Sequence, residues 1–482
     1  MALATSNRAR VRYLKETTFA VPAGAAGKET RMTGEALTYA KTTDTSKELR
    51  SDRQISDLVP TGASASGAIN FEFSYKEYDE FMAAIMTDSA AFRAYTPFPT
   101  ATPLAFTTSV LSGASLPVFT VGAVIVISGF TGAAAANNGR FTVLTSTTTA
   151  LTINAALSTA SFTAVTSGLV TGPGGAIIAS ITPATASFAP TTLTCTINSD
   201  LATLVAGQWV VVSGFTGDSA ANNGPYRVLT ATSTVLTVFG TTPFAYTGSG
   251  VGTGVITPAN GKLKNNVSTE NFSYTIERAL LDLASPMYNI FTGMVPSKMS
   301  LSASSGSIVT GSFDFMGKNM VEGDLITAQF TSATASQTYP VINAVSGAGL
   351  ISIDGKPQKS VLVKSFKFDV DNKLRSRDAI GVLGAASIGY GTFEAKGDLE
   401  VYLEDATLYN KFLNNSDVGL AMTVLDSSGN GYIFEFPKAN FSDAKSNAGG
   451  LDSDMMLALP FTALYDTNAA TGCTMIIHRI GA

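Results

Sequence analysis

Alternation of apolar and polar residues predicts β-strands in both halves of the chain. In Ile69–Ser74, every second residue is Ile or Phe and the others are polar. This period of two places one face of a strand in the core and the other face in water. The same alternation predicts strands over Val309–Met316 and Met455–Leu464. The pattern therefore favours sheets that have one buried face and one wet face.

A short helix is predicted directly after the first of these strands. Ser74 and Glu77 stand three residues apart, which is the Ser-x-x-Glu spacing of a capping box. Tyr78, Phe81 and Met82 follow at helical spacing, so that they share one side of the helix. The sequence thus predicts a strand followed by an amphipathic helix that packs on the sheet.

The strand-and-helix pattern occurs twice. Residues 44–51 return as 369–376 at an offset of 325 (375 − 50 = 325), with Asp44 over Asp369 and a shared Leu-Arg-Ser. After a short change in length, residues 67–73 align with 397–403 and residues 78–82 align with 409–413. We expect the same structural unit in both places. A duplicated β-unit usually serves to contact copies of itself.

A second repeat occupies the middle of the chain. Residues 128–132 and 137–139 return as 213–217 and 222–224, at an offset of 85 (214 − 129 = 85). Each copy has strand-like segments around an Asn-Gly turn. This predicts two small all-β modules, at about 105–172 and 190–257. The single tryptophan, Trp209, aligns with Ala123 of the first module and is expected to pack within the second.

The modules interrupt the first copy of the larger unit. In the second copy, a strand at Leu420 follows soon after Leu413, whereas in the first copy the whole middle region separates Met86 from Phe272. The predicted organisation has three parts. The first unit takes residues 1–91 and 267–320, the inserted modules take 92–266, and the second unit takes 321–482.

Composition supports a β-rich chain with well-filled cores. Of its 482 residues, 45% are hydrophobic and 14% are charged, against roughly 25% charged residues in an average globular protein. The 28 Phe and 15 Tyr provide ample surface to bury, which argues against disorder. The net charge is −5, and residues 101–250 contain only Arg140, Asp200, Asp218 and Arg227 as charged residues. Because the chain has no basic stripe, a protein that grips nucleic acid is not expected.

Motifs for chemistry are missing from the sequence. The one histidine, His478, has no Cys or His cluster around it, and neither a nucleophile elbow nor a phosphate-binding loop occurs. We therefore predict no enzyme activity, no metal and no cofactor. Cys195 and Cys473 are expected to be reduced, buried thiols, as in a protein that folds in the cytoplasm. The sequence shows no secretory signal, and its apolar runs are too short to cross a bilayer, so membrane insertion is not expected.

Two segments carry a resemblance to a known family. Arg10–Phe19 is one, and Ser51–Asp57 together with Gly67–Tyr78 is the other. They resemble the major tail tube proteins of long, non-contractile-tailed bacteriophages. The likeness covers residues 1–90 and about 267–482, and it is a pattern of scaffold residues.

The resemblance implies a mainly β fold with few short helices. Each unit would be a tail-tube β-sandwich or half-barrel, and the first would be interrupted by the two small modules. In that family, rings of subunits close their inner strands into one β-barrel around a channel, and stacked rings form the tube through which the genome leaves the capsid. A chain with two units could close such a ring with three copies, in true threefold and pseudo-sixfold symmetry.

The same resemblance implies location and partners. The protein would assemble in the host cytoplasm and reside in the virion tail. It would contact itself, the tape-measure protein and the tail terminator or tip proteins. Phage DNA would pass through the channel without specific binding.

Two sets of residues are candidates for these roles. The charged loops are candidate contacts between subunits or between rings, although each loop by itself could equally be a solvated linker; their residues are Lys47, Arg50, Asp52, Arg53, Lys373, Arg375, Arg377 and Asp378. Acidic residues on wet strand faces are candidates for lining the channel, where they would repel phosphate. These are Glu72, Asp314, Glu400 and Glu404, and the tube exterior is the alternative position for each.

Two other classes of function remain as alternatives. A cell-surface or glycan-binding β protein would carry its activity in the inserted modules, but the modules lack the aromatic and acidic clusters of sugar sites. A hydrolase is disfavoured by the missing motifs. The modules themselves are expected to project outward, because the insertion joins a helix end to a strand, away from the sheet edges.

Overall fold

The structure is a computed structural model. It describes residues 5–88, 92, 105–107, 110–112, 124–128, 139–147, 150–153, 169–171, 185–189, 191–196, 201, 204, 207–232, 234–239, 244–251, 255–266, 270, 272–321, 325–345, 351–354, 356–357, 362–404, 406–447, 454–467 and 472–481. Among these residues, no helix is long and apolar enough to cross a membrane.

The first unit is built from two stretches of chain on either side of the insertion. Before the insertion lie β1 (Ala9–Lys15), β2 (Ala26–Thr30), β3 (Gly34–Glu35), β4 (Thr38–Thr45), β5 (Leu58–Glu72) and helix α1 (Asp79–Ile85). The insertion contains β6 (Ala105–Thr107), β7 (Val110–Ser112), β8 (Val124–Ser128), β9 (Gly139–Ser146), β10 (Ala150–Ile153), β11 (Leu169–Thr171), β12 (Thr185–Phe188), β13 (Thr192–Thr196), β14 (Trp209–Ser213), β15 (Gly224–Ala231), β16 (Val235–Val238), β17 (Gly248–Val251) and β18 (Val255–Lys264). After it, β19 (Tyr274–Leu280), β20 (Met287–Ser304), β21 (Thr310–Gly317) and β22 (Asn319–Met320) complete the unit.

The second unit follows a connecting segment. The connection carries β23 (Ser332–Thr334), which pairs in parallel with β2. The second unit then contains β24 (Ile351–Ile353), β25 (Lys356–Pro357), β26 (Val363–Asp371), β27 (Arg375–Arg377), β28 (Ser387–Gly389), β29 (Glu394–Tyr402), helix α2 (Thr407–Leu413), β30 (Val418–Leu425), β31 (Gly431–Phe441), β32 (Lys445–Asn447), β33 (Met456–Ala463) and β34 (Ile476–Ile480).

The two units pair their strands in the same order. In the first, the antiparallel order is β1, β19, β20, β21, β5 and β4. In the second, the order is β24, β30, β31, β33, β29 and β26. Each unit also has its helix directly after the strand that follows the charged loop. The duplication predicted from the sequence is therefore present in the fold.

Two glycines show how the copies align. A Cβ on Gly67 would lie 2.2 Å from the oxygen of Ala36, and one on Gly397 would lie 2.4 Å from the oxygen of Lys367. Glycine is needed at both places because the neighbouring strand passes too close for a side chain. Ala36 is therefore equivalent to Lys367, at an offset of 331 (367 − 36 = 331). The predicted match of Asp44 with Asp369, at an offset of 325, was wrong, because Asp369 pairs with Lys396 as Thr38 pairs with Ser66.

Helix α1 begins later than the capping box predicts. It starts at Asp79, and its N-cap residue, Tyr78, makes no side-chain capping bond. Glu77 instead accepts hydrogen bonds from the backbone N–H groups of Arg31 and Gln337, at 2.8 and 2.7 Å. The predicted box was wrong because Glu77 serves a tertiary role, in which it fastens the connecting segment to the first unit.

The two units share one hydrophobic core. Phe73, at the end of the strand before α1, packs on Tyr432 and Phe434 of the second unit, with ring centroids 5.2 and 5.9 Å apart. Within the first unit, Phe81 of α1 packs on Tyr13, 4.4 Å between centroids. Since both sets belong to one contiguous cluster of buried residues, the units form one body through their apolar faces.

The two inserted modules are attached differently. In the described residues, β6 to β11 of the first module form a sheet of their own. The second module continues into the main sheet, because β18 pairs with its β14 over residues 255–258 and with β34 of the second unit over residues 259–264. Trp209 lies opposite Arg227, as Val124 lies opposite Thr142. Trp209 therefore occupies the position of Val124, and the predicted equivalence with Ala123 was wrong by one residue.

Candidate assembly interface

Strand pairing joins the two units inside the chain. The second half of β20 pairs with β26 from Lys298 opposite Asp371 to Ser304 opposite Ser365. This junction produces one sheet in the order β4, β5, β21, β20, β26, β29, β33, with β31 and β32 beyond β33. The backbone groups at this edge of each unit are satisfied by the other unit.

Side chains reinforce the junction around α1. The buried amide of Asn372 donates to the oxygen of Ile85 at the end of the helix, at 2.9 Å. At the other end, the Asp79 carboxylate accepts hydrogen bonds from Tyr432 and from Arg479, the latter at 2.8 Å. Burial raises the pKa of Asp79, and these two partners act against that shift. Both ends of α1 are thus held by the second unit.

The corresponding edges at the two ends of this sheet have no partner strand in the described part of the chain. Among the described strands, β3 and β4 pair only with β5. Within the same part of the chain, β32 pairs only with β33. By strand order, β3 and β4 correspond to β26, and β32 corresponds to the second half of β20. The chain therefore presents the two halves of the same junction at opposite ends. A free strand edge pairs readily with another chain.

The two helices differ in exposure at matching positions. Met82 of α1 is 0% exposed, whereas the aligned Leu413 of α2 is 60% exposed. Phe81 is buried, whereas the aligned Phe412 is only half-buried. The second helix therefore has an apolar face that the rest of the described chain leaves partly uncovered.

The candidate charged loops lie on the surface. In the loop between β4 and β5, Arg50 forms a two-point ion pair with Asp52, at 3.0 and 2.8 Å, while Lys47 and Arg53 are exposed. This loop also exposes Leu49 fully, at 103%. An apolar side chain in that position has no core to join within the described chain.

The corresponding loop of the second unit has a similar surface. Lys373 pairs with Asp371 and Glu394, both at 2.9 Å, and these carboxylates raise its pKa. Asp378 accepts a hydrogen bond from Ser376, and Ile380 is fully exposed at 106%. Arg375 and Arg377 are exposed on β27, where they lie opposite Gly389 and Ser387.

Part of the second loop already packs on the first unit. A Cβ on Gly384 would lie 2.9 Å from the oxygen of Lys318 and 3.0 Å from the oxygen of Ala63. Gly384 also has a φ of +80°, which favours glycine. The loop between β27 and β28 therefore makes a lateral contact from one unit to the other.

The wet face of the joined sheet carries three of the four acidic candidates. Glu72 lies opposite Thr310, and Asp314 lies opposite Ala68, which places both on the face that Phe71 and Phe313 avoid. Glu400 lies on the same face of β29. Glu404 lies beyond the end of β29 and is exposed.

Lysines share this face, although the acidic candidates had predicted a face without them. Lys298 pairs with Asp369 at 3.2 Å, Lys367 with Asp398 at 3.2 Å, and Lys364 with Glu400 at 3.4 Å. Burial raises the pKa of Asp314, and Asp369 and Asp371 add to that rise while Lys298 opposes it. The face therefore carries ion pairs of lysine with Asp or Glu, whereas only acidic and neutral residues had been expected there.

Comparison with known protein families agrees with this duplicated architecture. The phage tail tube protein family matches the chain twice, over residues 6–242 and 215–463. The chain belongs to this family. As a tail tube protein it is a structural component of the virion tail, and the family indicates no enzymatic role. No curated protein matches its sequence.

Some features of this tail tube protein could not be found from its sequence. The uncovered face of α2 depends on comparing burial at Met82 and Leu413, which have similar side chains. The lysine pairs depend on which strands are neighbours. In contrast, the repeat itself shows that the second module has a tryptophan, Trp209, where the first module has a smaller residue. Trp209 makes a buried contact with the tube unit.

Proposed function

We propose that this tail tube protein self-assembles into rings of three chains with pseudo-sixfold symmetry, and that these rings stack into the tail tube. The observation that carries the proposal is the junction between β20 and β26. It joins unit to unit within the chain, and among the described residues the two halves of an equivalent junction lie at opposite ends without a partner strand. Head-to-tail contacts of this kind close into rings when the rotation between copies brings the last copy back to the first.

The strand register of the junction inside the chain predicts the register of the junction between neighbouring copies. Ser300 lies opposite Asp369. Its counterpart in the second unit is Lys445, because Ser300 pairs with Ser312 as Lys445 pairs with Ala458. The counterpart of Asp369 in the first unit is Thr38, at the offset of 331. Lys445 of one copy should therefore lie opposite Thr38 of the next, and both side chains belong to the wet face.

The exposed face of α2 fits the same arrangement. The second unit holds α1 at both ends through Asn372 and Arg479. In the proposed ring, the first unit of the next copy would cover α2 in the corresponding way. This would bury Leu413 and Phe412, and it would offset the cost of leaving apolar surface in water.

The charged loops are assigned to contacts between copies. The contact of Gly384 with Lys318 and Ala63 supports a lateral role for the second loop. By equivalence, the loop of the first unit would lie on the second unit of the neighbouring copy. Its exposed Leu49 would then gain apolar partners, and the charges of Lys47, Arg50, Asp52 and Arg53 would remain at the rim.

The wet face of the closed sheet would line the channel. Glu72, Asp314 and Glu400 would then face the lumen together with the paired lysines. Because each of these lysines has a carboxylate within 3.4 Å, it is partly neutralised as a phosphate ligand. DNA would pass without being held, and the tape-measure protein would occupy the same lumen before it. Terminator and tip proteins would contact the ends of the tube.

Disulfide trapping tests the ring and its register together. In the double variant Thr38→Cys, Lys445→Cys, the two Cβ atoms should lie about 4.5–5.5 Å apart across the antiparallel pair. Oxidation of assembled protein should then give covalent dimers and a closed covalent trimer on a non-reducing gel. Both single variants should stay monomeric on that gel.

A shifted pair serves as the matched control. In Ala40→Cys, Lys445→Cys, the diagonal separation should be about 7–8 Å, too long for a disulfide. Stronger cross-linking of this pair would contradict the register. A ladder that extends to six chains would contradict the three-chain ring, and assembled rings without any cross-link would contradict the edge pairing.

A further inference from the structure

A buried polar cluster joins the second inserted module to the tube unit. The Glu435 carboxylate on β31 accepts a hydrogen bond from the indole N–H of Trp209, at 2.8 Å. The imidazole Nε2 of His478 lies 2.7 Å from the same oxygen, and the Arg227 guanidinium lies 3.4 Å from the other. Glu435, His478 and Trp209 are all buried. Of the four residues in the cluster, two therefore come from the module and two from the tube unit.

Apolar packing surrounds this cluster. The Trp209 ring is 1% exposed and lies in a small buried group with Ile433 and Ile480 of the tube unit, together with Ala259 and Ala421. The module has a separate core on the other side of the same strands, which includes Val210, Val212, Tyr226 and Val228. Strands β14 and β15 thus use one face to hold the module together and the opposite face to contact the tube unit.

The protonation of the cluster follows from its surroundings. Burial lowers the pKa of His478, against the attraction of Glu435. The pKa of Glu435 is lowered by His478, Arg227 and Trp209, which outweigh its burial. The stable arrangement is an ionised Glu435 that accepts the Nε2–H of a neutral His478, with Arg227 as the cation. Such a buried carboxylate is costly unless its partners are present.

The two modules differ at the residues that make this contact. At the positions of Trp209 and Arg227, the first module carries Val124 and Thr142, which lie opposite each other in β8 and β9 as the other pair does in β14 and β15. Valine and threonine have neither the indole N–H that donates to Glu435 nor the positive charge that pairs with it. In the described residues, the sheet of the first module joins no other sheet.

We propose that Glu435 and His478 form a docking socket on the tube unit, and that Trp209 and Arg227 are the residues that allow only the second of the two modules to occupy it. The second module is then fixed to the tube unit of its own chain. The first module lacks both residues, and in the described part of the chain its sheet stays separate from the tube unit. This assignment concerns one chain and does not depend on ring formation.

The single tryptophan of the chain makes the proposal directly testable. Arg227→Thr introduces the residue of the first module and keeps Trp209 as a reporter, while Glu435→Gln alters the socket from the tube side. Both variants should shift Trp209 emission to the red and raise its quenching by acrylamide several-fold. Amide exchange should become about tenfold or more faster in residues 259–264, since a buried partner is lost, while residues 226–228 in the module core stay protected.

Leu229→Thr is the matched control. Leu229 lies on the same strand as Arg227, is exposed, and is outside the cluster, so its replacement should leave both readouts unchanged. The double variant Arg227→Thr, Glu435→Gln should lose less free energy of unfolding than the two single variants lose together, because both changes remove the same contact. If Glu435→Gln leaves Trp209 shielded and the exchange in 259–264 unchanged, the docking role is refuted. This holds even if Arg227→Thr unfolds the module.

Discussion

The unequal burial of the two helices gives a quantitative prediction about assembly. Met82→Ala removes a side chain that is 0% exposed, so it should lower the free energy of unfolding of the single chain by about 2–5 kcal/mol. Leu413→Ala changes the aligned residue, which is 60% exposed. Its effect on the single chain should stay below about 1 kcal/mol, because less than half of the side chain is buried.

In ring assembly, in contrast, Leu413→Ala should have the larger effect of the two substitutions. Full burial of a leucine contributes about 1.5–3 kcal/mol, so covering the remaining surface of Leu413 should contribute about 1–2 kcal/mol at each contact between copies. Leu413→Ala should therefore weaken each contact about 5- to 30-fold. Urea unfolding of dilute protein measures the first effect. The concentration at which rings form, measured by analytical ultracentrifugation, measures the second.

The control for this prediction is Leu413→Met, which keeps the apolar volume and should assemble almost normally. Two results would refute the reasoning. Leu413→Ala could assemble at the same concentration as the natural protein, in which case no neighbour covers α2. It could also lower the stability of the single chain as much as Met82→Ala does, in which case the apparent exposure of Leu413 has no meaning for assembly.

Three further predictions concern the single chain. Gly67→Ala and Gly397→Ala should each lower the free energy of unfolding by more than about 1 kcal/mol, since a Cβ would meet a backbone oxygen; Gly24→Ala, which meets nothing within 4 Å, should change it by less than about 0.5 kcal/mol. Asn372→Ala should cost about 1–3 kcal/mol in urea unfolding, because the oxygen of Ile85 loses its donor from the other unit; a loss within error would show that water replaces the amide. Because burial holds the pKa of His478 below its unfolded value of about 6.5, the unfolded chain binds the proton more readily, and stability should fall as pH drops below about 6.5. His478→Gln should flatten this part of the pH profile, and an unchanged slope would assign the effect to other groups.

Much of the architecture could be predicted from the sequence because repetition is a strong signal. Alternation identified the strands now seen at Thr310–Gly317 and Met456–Ala463 within one or two residues. The aligned glycines at 67 and 397 gave the correct equivalence, since a close backbone approach tolerates no other residue there. Local patterns were less useful where tertiary contacts decide the outcome. Glu77 had the spacing of a capping residue, but it binds two backbone groups from distant segments.

The candidate site was harder to predict for a related physical reason. Whether an acidic residue such as Glu400 faces a lysine depends on strand order, which the sequence does not state. The role of Glu435 in docking depends on its contacts with Trp209 and His478, which are far apart from each other along the chain. A residue pattern shows which faces are wet or apolar, whereas the partner of each face is set by topology.

The β20–β26 junction restricts how many units a closed ring can contain. When two units are fused, any closed circle of them contains an even number, so a faulty five-membered circle cannot arise from intact chains. Three bodies rather than six must lose translational and rotational freedom, and each such loss costs an estimated 4–15 kcal/mol. Fusion also frees the two units to diverge, as the paired lysines at positions 364 and 367 in one unit and the alanine at position 36 in the other already show.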